Sequence, residues 1–111
     1  MSEIRFQVQG SADSPYDVTF VNRGNGNLSA YCTCPAGENG QYCKHRFAIL
    51  NGEIKAIVSG NEHEVSLVVS WLAGSDIESA LKDVAAAEFE LERAKKEVSR
   101  VKKLLAEAMR N

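Results

Sequence analysis

Four residues of the kind that bind zinc lie within one short stretch of this 111-residue chain. All three cysteines and one of the two histidines lie between positions 32 and 45, in the order C-x-C, eight residues, C-x-H. Thiolate and imidazole are the ligands that Zn²⁺ takes in tetrahedral structural sites, where no position stays open for a reacting water. The spacing therefore predicts one structural Zn²⁺, held by Cys32, Cys34, Cys43 and His45.

Other uses of the cysteines fit the sequence less well. A redox motif would have the spacing C-x-x-C, which this sequence lacks, and an iron–sulfur cluster usually takes four thiolates. Ordinary buried thiols are the remaining alternative. The second histidine, His63, lies between Glu62 and Glu64 on a predicted helix, and we interpret it as a solvated surface residue.

Apolar and polar residues alternate in the segments before the cysteines, which is the pattern of half-buried β-strands. We predict strands over 4–9, 16–22 and 28–33. Asn25 and Gly26 suit the two central positions of a hairpin turn between the second and the third strand. The strands are therefore expected to form an antiparallel meander that has Cys32 near its end.

Helical patterns follow His45. We predict one or two turns over 47–50, a short helix over 53–59, and a further helix from Asn61, as its N-cap, to Leu72. The apolar residues of this last helix have the spacing of a core-facing stripe; they are Val65, Val68, Val69 and Leu72. The expected fold class is α+β, with a meander and zinc finger over 1–60, a short packing helix over 61–75 and a coiled-coil helix over 76–111.

The final stretch, 76–110, contains neither glycine nor proline, and either Ser75 or Asp76 can cap it. Its apolar residues repeat with a heptad period, and positions a and d are apolar in all five heptads, which is typical of a coiled coil. These residues are Ile77, Ala80, Val84, Ala87, Leu91, Ala94, Val98, Val101, Leu105 and Ala108. Such a helix is about 52 Å long, whereas a domain of about 75 residues has a radius of gyration of only about 11 Å. We therefore expect the stripe to form an interface with another chain.

Charge is divided along the same helix. Six acidic residues and one basic residue lie in 76–92, a net charge of −5, whereas 93–111 has seven basic and two acidic residues, a net charge of +5. Two such helices attract each other when antiparallel, and alanine at d lets them approach closely. We expect an antiparallel homodimer. The alternatives are docking on an unrelated partner and a helix folded back on its own domain.

The order C-x-C-x8-C-x-H resembles the SWIM zinc finger, as do Pro35 after the second cysteine and the apolar helix after Cys43-Lys44-His45. The resemblance covers about residues 16–50. It implies a ββα arrangement with these cysteines and His45 as ligands, and a role in binding nucleic acid or protein. The family occurs in bacterial proteins, chromatin-remodelling ATPases and Mutator-type transposases, and the short chain suggests a small, stand-alone bacterial or phage member.

The distribution of charge bears on the partner. The formal net charge is −2, and 1–60 carries five basic and five acidic residues, so no strong field attracts nucleic acid or an anionic membrane. With the long helix, this neutrality favours a non-catalytic interaction module, an adaptor or regulator with a protein partner. The alternative is a DNA-binding protein, with Arg23, Lys44 and Arg46 as the candidate nucleic-acid contacts.

Enzymatic activity is not expected. The sequence shows no Ser-His-Asp arrangement, no glycine-rich phosphate loop and no paired catalytic carboxylates, so we predict no catalytic residue and no small-molecule substrate. The sequence has no run of 18 apolar residues, so we predict no membrane span. Its N-terminus lacks a basic segment followed by an apolar one, so we predict no signal peptide. The odd number of cysteines favours a reducing compartment. We predict a cytoplasmic protein, or a nucleoid-associated one if it binds DNA.

Overall fold

The alternating segments form a three-stranded antiparallel sheet in the computed structural model, which describes residues 2–110. The strands are β1 (Ser2–Val8), β2 (Tyr16–Gly24) and β3 (Asn27–Cys32), and they lie side by side in chain order. Residues at alternate positions fill the core on one face, where Phe6 and Phe20 meet edge to face with ring centroids 6.1 Å apart. The predicted meander is thus confirmed.

The hairpin between β2 and β3 has the predicted Asn-Gly turn. Asn25 and Gly26 have φ angles of 55° and 76°. Both lie in the left-handed region that this two-residue turn requires, and asparagine and glycine tolerate it best. The tight turn pairs Gly24 with Asn27, and a bulge between Asn22 and Gly24 then shifts the register by one residue, so that Val18 lies opposite Cys32.

The helices follow the sheet in the chain, so the fold is mixed α+β. They are α1 (Pro35–Glu38), α2 (Lys44–Leu50), a single 3-10 turn (Glu62–Glu64), α3 (Val65–Leu72) and α4 (Asp76–Ala108). Helix α3 packs against α2, and Val65 and Val68 are buried as predicted, whereas Val69 is 36% exposed. The core-facing stripe is therefore narrower than expected, because this short helix has one packed side. Asn61 precedes the 3-10 turn, but its side chain makes no capping hydrogen bond to the backbone there.

Residues 53–59 do not form the predicted helix. Ile57 instead pairs with Val8 in an antiparallel bridge. The backbone N–H of Gln9 donates to the carbonyl of Ala56, and that of Val58 donates to Gln7, each over 2.8 Å. The outer edge of β1 needs hydrogen-bond partners, and this pairing supplies them while it buries Ile57.

The region between the two ligand pairs also differs from its expected form. The glycines and Asn39 predict a flexible loop over 36–42, yet Pro35–Glu38 form the short helix α1. Proline suits the first helical position because its fixed φ matches the helix and its missing N–H would have no partner there. Helix α2 begins at Lys44, three residues before the predicted 47–50.

Side chains satisfy the outer edge of β3. The N–H of Leu28 donates to Oδ1 of Asp76 over 3.2 Å, and the carbonyl of Ala30 accepts from Nη1 of Arg46 over 3.1 Å. A charged side chain at a strand edge also discourages pairing with another chain. Both edges of the sheet are therefore covered by residues that lie far away in sequence.

Helix α4 starts with a side-chain cap, and Ser75 is its N-cap. The hydroxyl of Ser75 accepts from the N–H of Glu78 over 3.1 Å, which satisfies a backbone donor that a helix start leaves free. The Glu78 carboxylate accepts from the N–H of Gly74, the residue before the cap, over 3.2 Å. The N–H of Asp76 donates to the carbonyl of Gly26 over 2.9 Å, which ties the helix start to the hairpin.

The chain divides into two compact units, Met1–Glu78 and Ser79–Asn111. The first three residues of α4 thus belong to the unit that contains the sheet. Among the helices described within residues 2–110, none has the length and the apolar character needed to cross a membrane.

We expect Ser75→Ala to lower the free energy of unfolding by about 1 kcal/mol, because loss of an N-cap typically has this cost. For a unit of this size the melting temperature should fall by roughly 4–8 °C. The control is Ser79→Ala, an exposed position one turn later in the same helix, which should change stability little. Thermal unfolding of both variants with zinc present is the measurement. Equal melting temperatures for the two would contradict a capping role.

Candidate metal centre

The four predicted ligands come from the ends of successive elements. Cys32 is the last residue of β3, and Cys34 is the N-cap of α1. Cys43 immediately precedes α2, and His45 lies in its first turn. Their sulfur and ring nitrogen atoms all lie within 4.8 Å of one another. The fold thus brings together the full set that the spacing predicted.

The strand bends between the first two cysteines, as a shared metal ion requires. Pairing in β3 ends at Cys32, and Thr33 then makes two hydrogen bonds to Asp17. Its hydroxyl accepts from the Asp17 N–H over 2.9 Å, and its own N–H donates to the Asp17 carbonyl over 3.0 Å. These bonds hold the bend, so the side chains of Cys32 and Cys34 can both approach one point.

Three of the distances between ligand atoms lie within about 0.4 Å of those expected around a tetrahedral zinc ion. Sγ of Cys34 lies 3.4 Å from Sγ of Cys43, while Nδ1 of His45 lies 3.8 Å from Sγ of Cys32 and 3.6 Å from Sγ of Cys43. Ideal Zn–S and Zn–N bond lengths require separations of about 3.8 Å between sulfurs and about 3.5 Å between sulfur and nitrogen. The three cysteines are buried, and three thiolates with one imidazole form a Cys3His set, a common donor set of structural zinc.

The comparison with known families agrees with this geometry. The model of the SWIM zinc finger family matches residues 6–51, which include all four ligands. Residues 6–51 are a SWIM-type zinc finger. The matched range begins at residue 6, whereas the resemblance seen in the sequence began at about residue 16. The additional residues include the end of β1, which pairs with β2 in the same sheet. Comparison with the curated proteins and with the solved structures gives no match.

Backbone N–H groups of the SWIM finger point at the sulfur atoms. The N–H of Cys34 lies 3.5 Å from Sγ of Cys32, and the N–H of Gly37 lies 3.3 Å from Sγ of Cys34. Gly37 also approaches the carbonyl of Cys32 so closely that a side chain at this position would overlap it. The glycine is therefore needed for the turn that places Cys34, a role that spacing of the ligands alone does not reveal.

The surroundings of the thiols change their acidity in the metal-free protein. Burial raises the pKa of Cys32 to about 12. Burial also acts to raise the pKa of Cys43, but hydrogen bonds from the backbone N–H of Arg46, from the neighbouring thiols and from His45 outweigh it, and the pKa falls to about 6. The same surroundings thus favour the thiolate form at Cys43 and the thiol form at Cys32. Because zinc binds the thiolate form of cysteine, metal binding is coupled to proton release.

Two residues outside the ligand set fix the ring of His45. The ring of Tyr16 packs against it with centroids 5.1 Å apart and planes tilted by 45°. Gly10 lies against both rings, and a Cβ atom at that position would come within 3.0 Å of Nε2 of His45 and 2.6 Å of Cε2 of Tyr16. These contacts direct Nδ1 towards the thiolates, as residues around a metal site commonly do for a histidine ligand. Neither contact follows from a periodic pattern in the sequence.

The three candidate nucleic-acid contacts have different surroundings. Arg46 donates from Nη1 to the carbonyl of Ala30 and from Nη2 to that of Gln41 over 2.6 Å. It thereby joins α2 to β3 and to the loop between the ligand pairs. Arg23 donates from Nε to the hydroxyl of Ser29 over 2.9 Å and from Nη2 to that of Tyr31 over 3.0 Å. Lys44 is exposed at the start of α2.

We expect the purified protein to contain one zinc ion per chain and His45→Ala to reduce that content. The variant should also melt at a lower temperature, because the metal's binding free energy is part of the folding free energy. His63→Ala is the control, since His63 is exposed and lies outside the metal cluster. Metal analysis and thermal unfolding are the measurements. The proposed zinc site would be refuted by equal zinc content in the two variants, or by a melting temperature of the parent protein that a chelator does not change.

We expect Arg46→Ala to destabilise the finger by about 1–3 kcal/mol, because two carbonyl groups lose a charged hydrogen-bond donor. Lys44→Ala removes the same charge two residues earlier from an exposed position, so it should stay within about 0.5 kcal/mol of the parent. Denaturant titration of the zinc-loaded variants gives both values. A similar loss in both would mean that charge, and not the two hydrogen bonds, accounts for the effect.

Proposed function

We propose that the protein is a non-catalytic zinc-binding interaction module that works as a homodimer assembled through α4. The observation that carries the proposal is the apolar stripe of this helix. Leu91 is 55% exposed and Leu105 is 57% exposed, and Val84, Val98 and Val101 are exposed as well. None of the residues described for α4 is buried. A continuous exposed apolar surface is typical of an interaction site.

The continuity of α4 supports the heptad assignment. The helix runs without a break from Asp76 to Ala108, so the a and d positions form one seam along its surface. Two ion pairs lie within the second half of the helix. Glu90 pairs with Arg93 over 3.3 Å, and Glu97 pairs with Arg100. Both pairs lie beside the stripe and leave it uncovered.

The ligand set of the zinc centre supports the proposal that the module does not catalyse a reaction. Its ligands are three thiolates and one imidazole, a complete set that has no place for a reacting water or a substrate. Catalytic zinc sites use three protein ligands and keep the fourth position open. The finger is accordingly proposed to support a binding surface, and the function to depend on which surfaces the two units present.

A protein partner is the proposal that the charges favour. The formal net charge is −2, and the guanidinium groups of Arg23 and Arg46 already bind groups within the finger. The alternative, binding of DNA, would depend on Lys44. This alternative would be supported by an affinity for DNA that falls as the salt concentration rises and that is lower in Lys44→Glu.

We expect the protein to be a dimer in sedimentation equilibrium at micromolar concentration and Leu91→Lys to make it monomeric. A lysine at the centre of the stripe would place a charge in the apolar interface. The control is Phe89→Lys, which introduces the same residue at an apolar position that is 65% exposed on the opposite side of the helix. This control should remain a dimer. A monomeric parent protein would refute self-association.

A further inference from the structure

The relative direction of two α4 helices depends on the residues that flank the apolar stripe. In a two-stranded coiled coil these are the e and g positions, whose charges choose partner and orientation. With Ile77 at a, the charged g positions of α4 are all acidic, and the charged e positions are acidic in the first half and basic in the second. The g residues are Asp76, Asp83, Glu90 and Glu97, and the charged e residues are Glu88, Lys95 and Lys102.

The contacts of α4 show why total charge is a poor guide here. Arg93 and Arg100 account for two of the basic residues in the second half, and each is paired within its own helix to a g-position acid, Glu90 and Glu97. Asp76, an acid of the first half, accepts hydrogen bonds from the N–H groups of Leu28 and Ile77. Arg93 and Arg100 fall at c positions, which do not flank the seam, whereas their partners Glu90 and Glu97 fall at g positions, which do. The two arginines therefore add to the net charge of the second half without facing the other helix.

An antiparallel pair brings g next to g and e next to e. With the two helices fully overlapped, Glu90 of one would face Glu97 of the other, twice by symmetry, and these repulsions offset the attraction of Glu88 for Lys95. A parallel pair instead brings each g residue next to the e residue five positions later in the second helix. Glu90 then faces Lys95 and Glu97 faces Lys102, which gives four attractive contacts against two repulsive ones between Asp83 and Glu88.

From this arrangement we infer that two copies of the chain associate as a parallel, in-register coiled coil, with Glu90–Lys95 and Glu97–Lys102 as its interhelical ion pairs. The inference rests on the proposed self-association through α4. It differs from the antiparallel order expected from the charge of the two halves.

The orientation determines how the dimer can bind. In a parallel dimer the N-terminal ends of both helices lie together, and the chain of each SWIM finger leads into that same end. An antiparallel dimer would separate these ends by the length of α4, about 50 Å for 33 residues. The parallel dimer is therefore a bivalent module, suited to a partner protein that presents two copies of its binding site close together, where the second contact gains from effective concentration.

The first test is Glu90→Lys, whose effect has opposite signs in the two orientations. In a parallel dimer the introduced lysine faces Lys95, so the dissociation constant of the dimer should rise roughly tenfold, because two exposed ion pairs become repulsions. In a fully overlapped antiparallel dimer the introduced lysine faces Glu97, so the dimer would tighten. Adding Lys95→Glu should restore the parallel dimer. The control is Glu92→Lys, which makes the same change of charge at a position away from the seam and should leave the dissociation constant of the dimer nearly unchanged.

The second test measures orientation directly by disulfide formation in the zinc-loaded protein. In a parallel dimer the two Ala108 residues lie opposite each other at d, so Ala108→Cys should give a disulfide-linked dimer on mild oxidation. Lys103→Cys, which lies outside the seam, and the parent protein, whose thiols are zinc ligands, should not. A dimer that tightens with Glu90→Lys and fails to link through position 108 would overturn the parallel orientation alone. A monomeric parent would refute the proposed self-association itself.

Discussion

Coordination of one zinc ion by four side chains is the constraint on which the small domain depends. The ligands join the end of β3 to the start of α2, so metal binding fixes the sheet and the helices relative to each other. Structural zinc sites in small fingers contribute about 10–16 kcal/mol of apparent binding free energy at neutral pH. This is as large as the whole net stability of an ordinary domain, about 5–15 kcal/mol. The apolar core alone therefore does not need to supply the stability of this unit.

Two charged residues, Arg46 of the finger and Asp76 of α4, serve the structure of the sheet. Arg46 links α2, β3 and the loop between the ligand pairs, and its backbone N–H also bonds to the Cys43 thiol. Asp76 satisfies the edge of β3 from the first turn of α4. Both side chains bond to backbone groups that the meander would otherwise leave open at its edge. Charge in a small metal-stabilised domain is thus no reliable sign of a ligand surface until its internal partners are known.

The ligand set and the meander could be predicted from the sequence because both are encoded locally. Thiol and imidazole spacing identifies Cys32 to His45, and alternation identifies the strands. The features that sequence reasoning missed depend on residues far apart in the chain. Residues 56–58 bond to the open edge of β1, so the helix predicted over 53–59 does not form. Arg46 resembles a free cation in the sequence because its acceptor on Ala30 lies sixteen positions earlier. Gly10 contacts His45 only because the loop after β1 passes over α2.

The complete set of four protein ligands at the zinc centre agrees with the proposed role of an interaction module. The finger supplies rigidity, since its ligands, its sheet edges and the start of α4 are all held by specific contacts. The helix supplies the apolar seam and the charged rows beside it. Those rows carry more information than the net charge of each half, because an ion pair screened by solvent acts over about 10 Å or less, whereas the helix is several times longer. In the proposed dimer, orientation would therefore be decided by the neighbours of each side chain across the seam, and Glu90 and Glu97 are the residues whose neighbours differ most between the two arrangements.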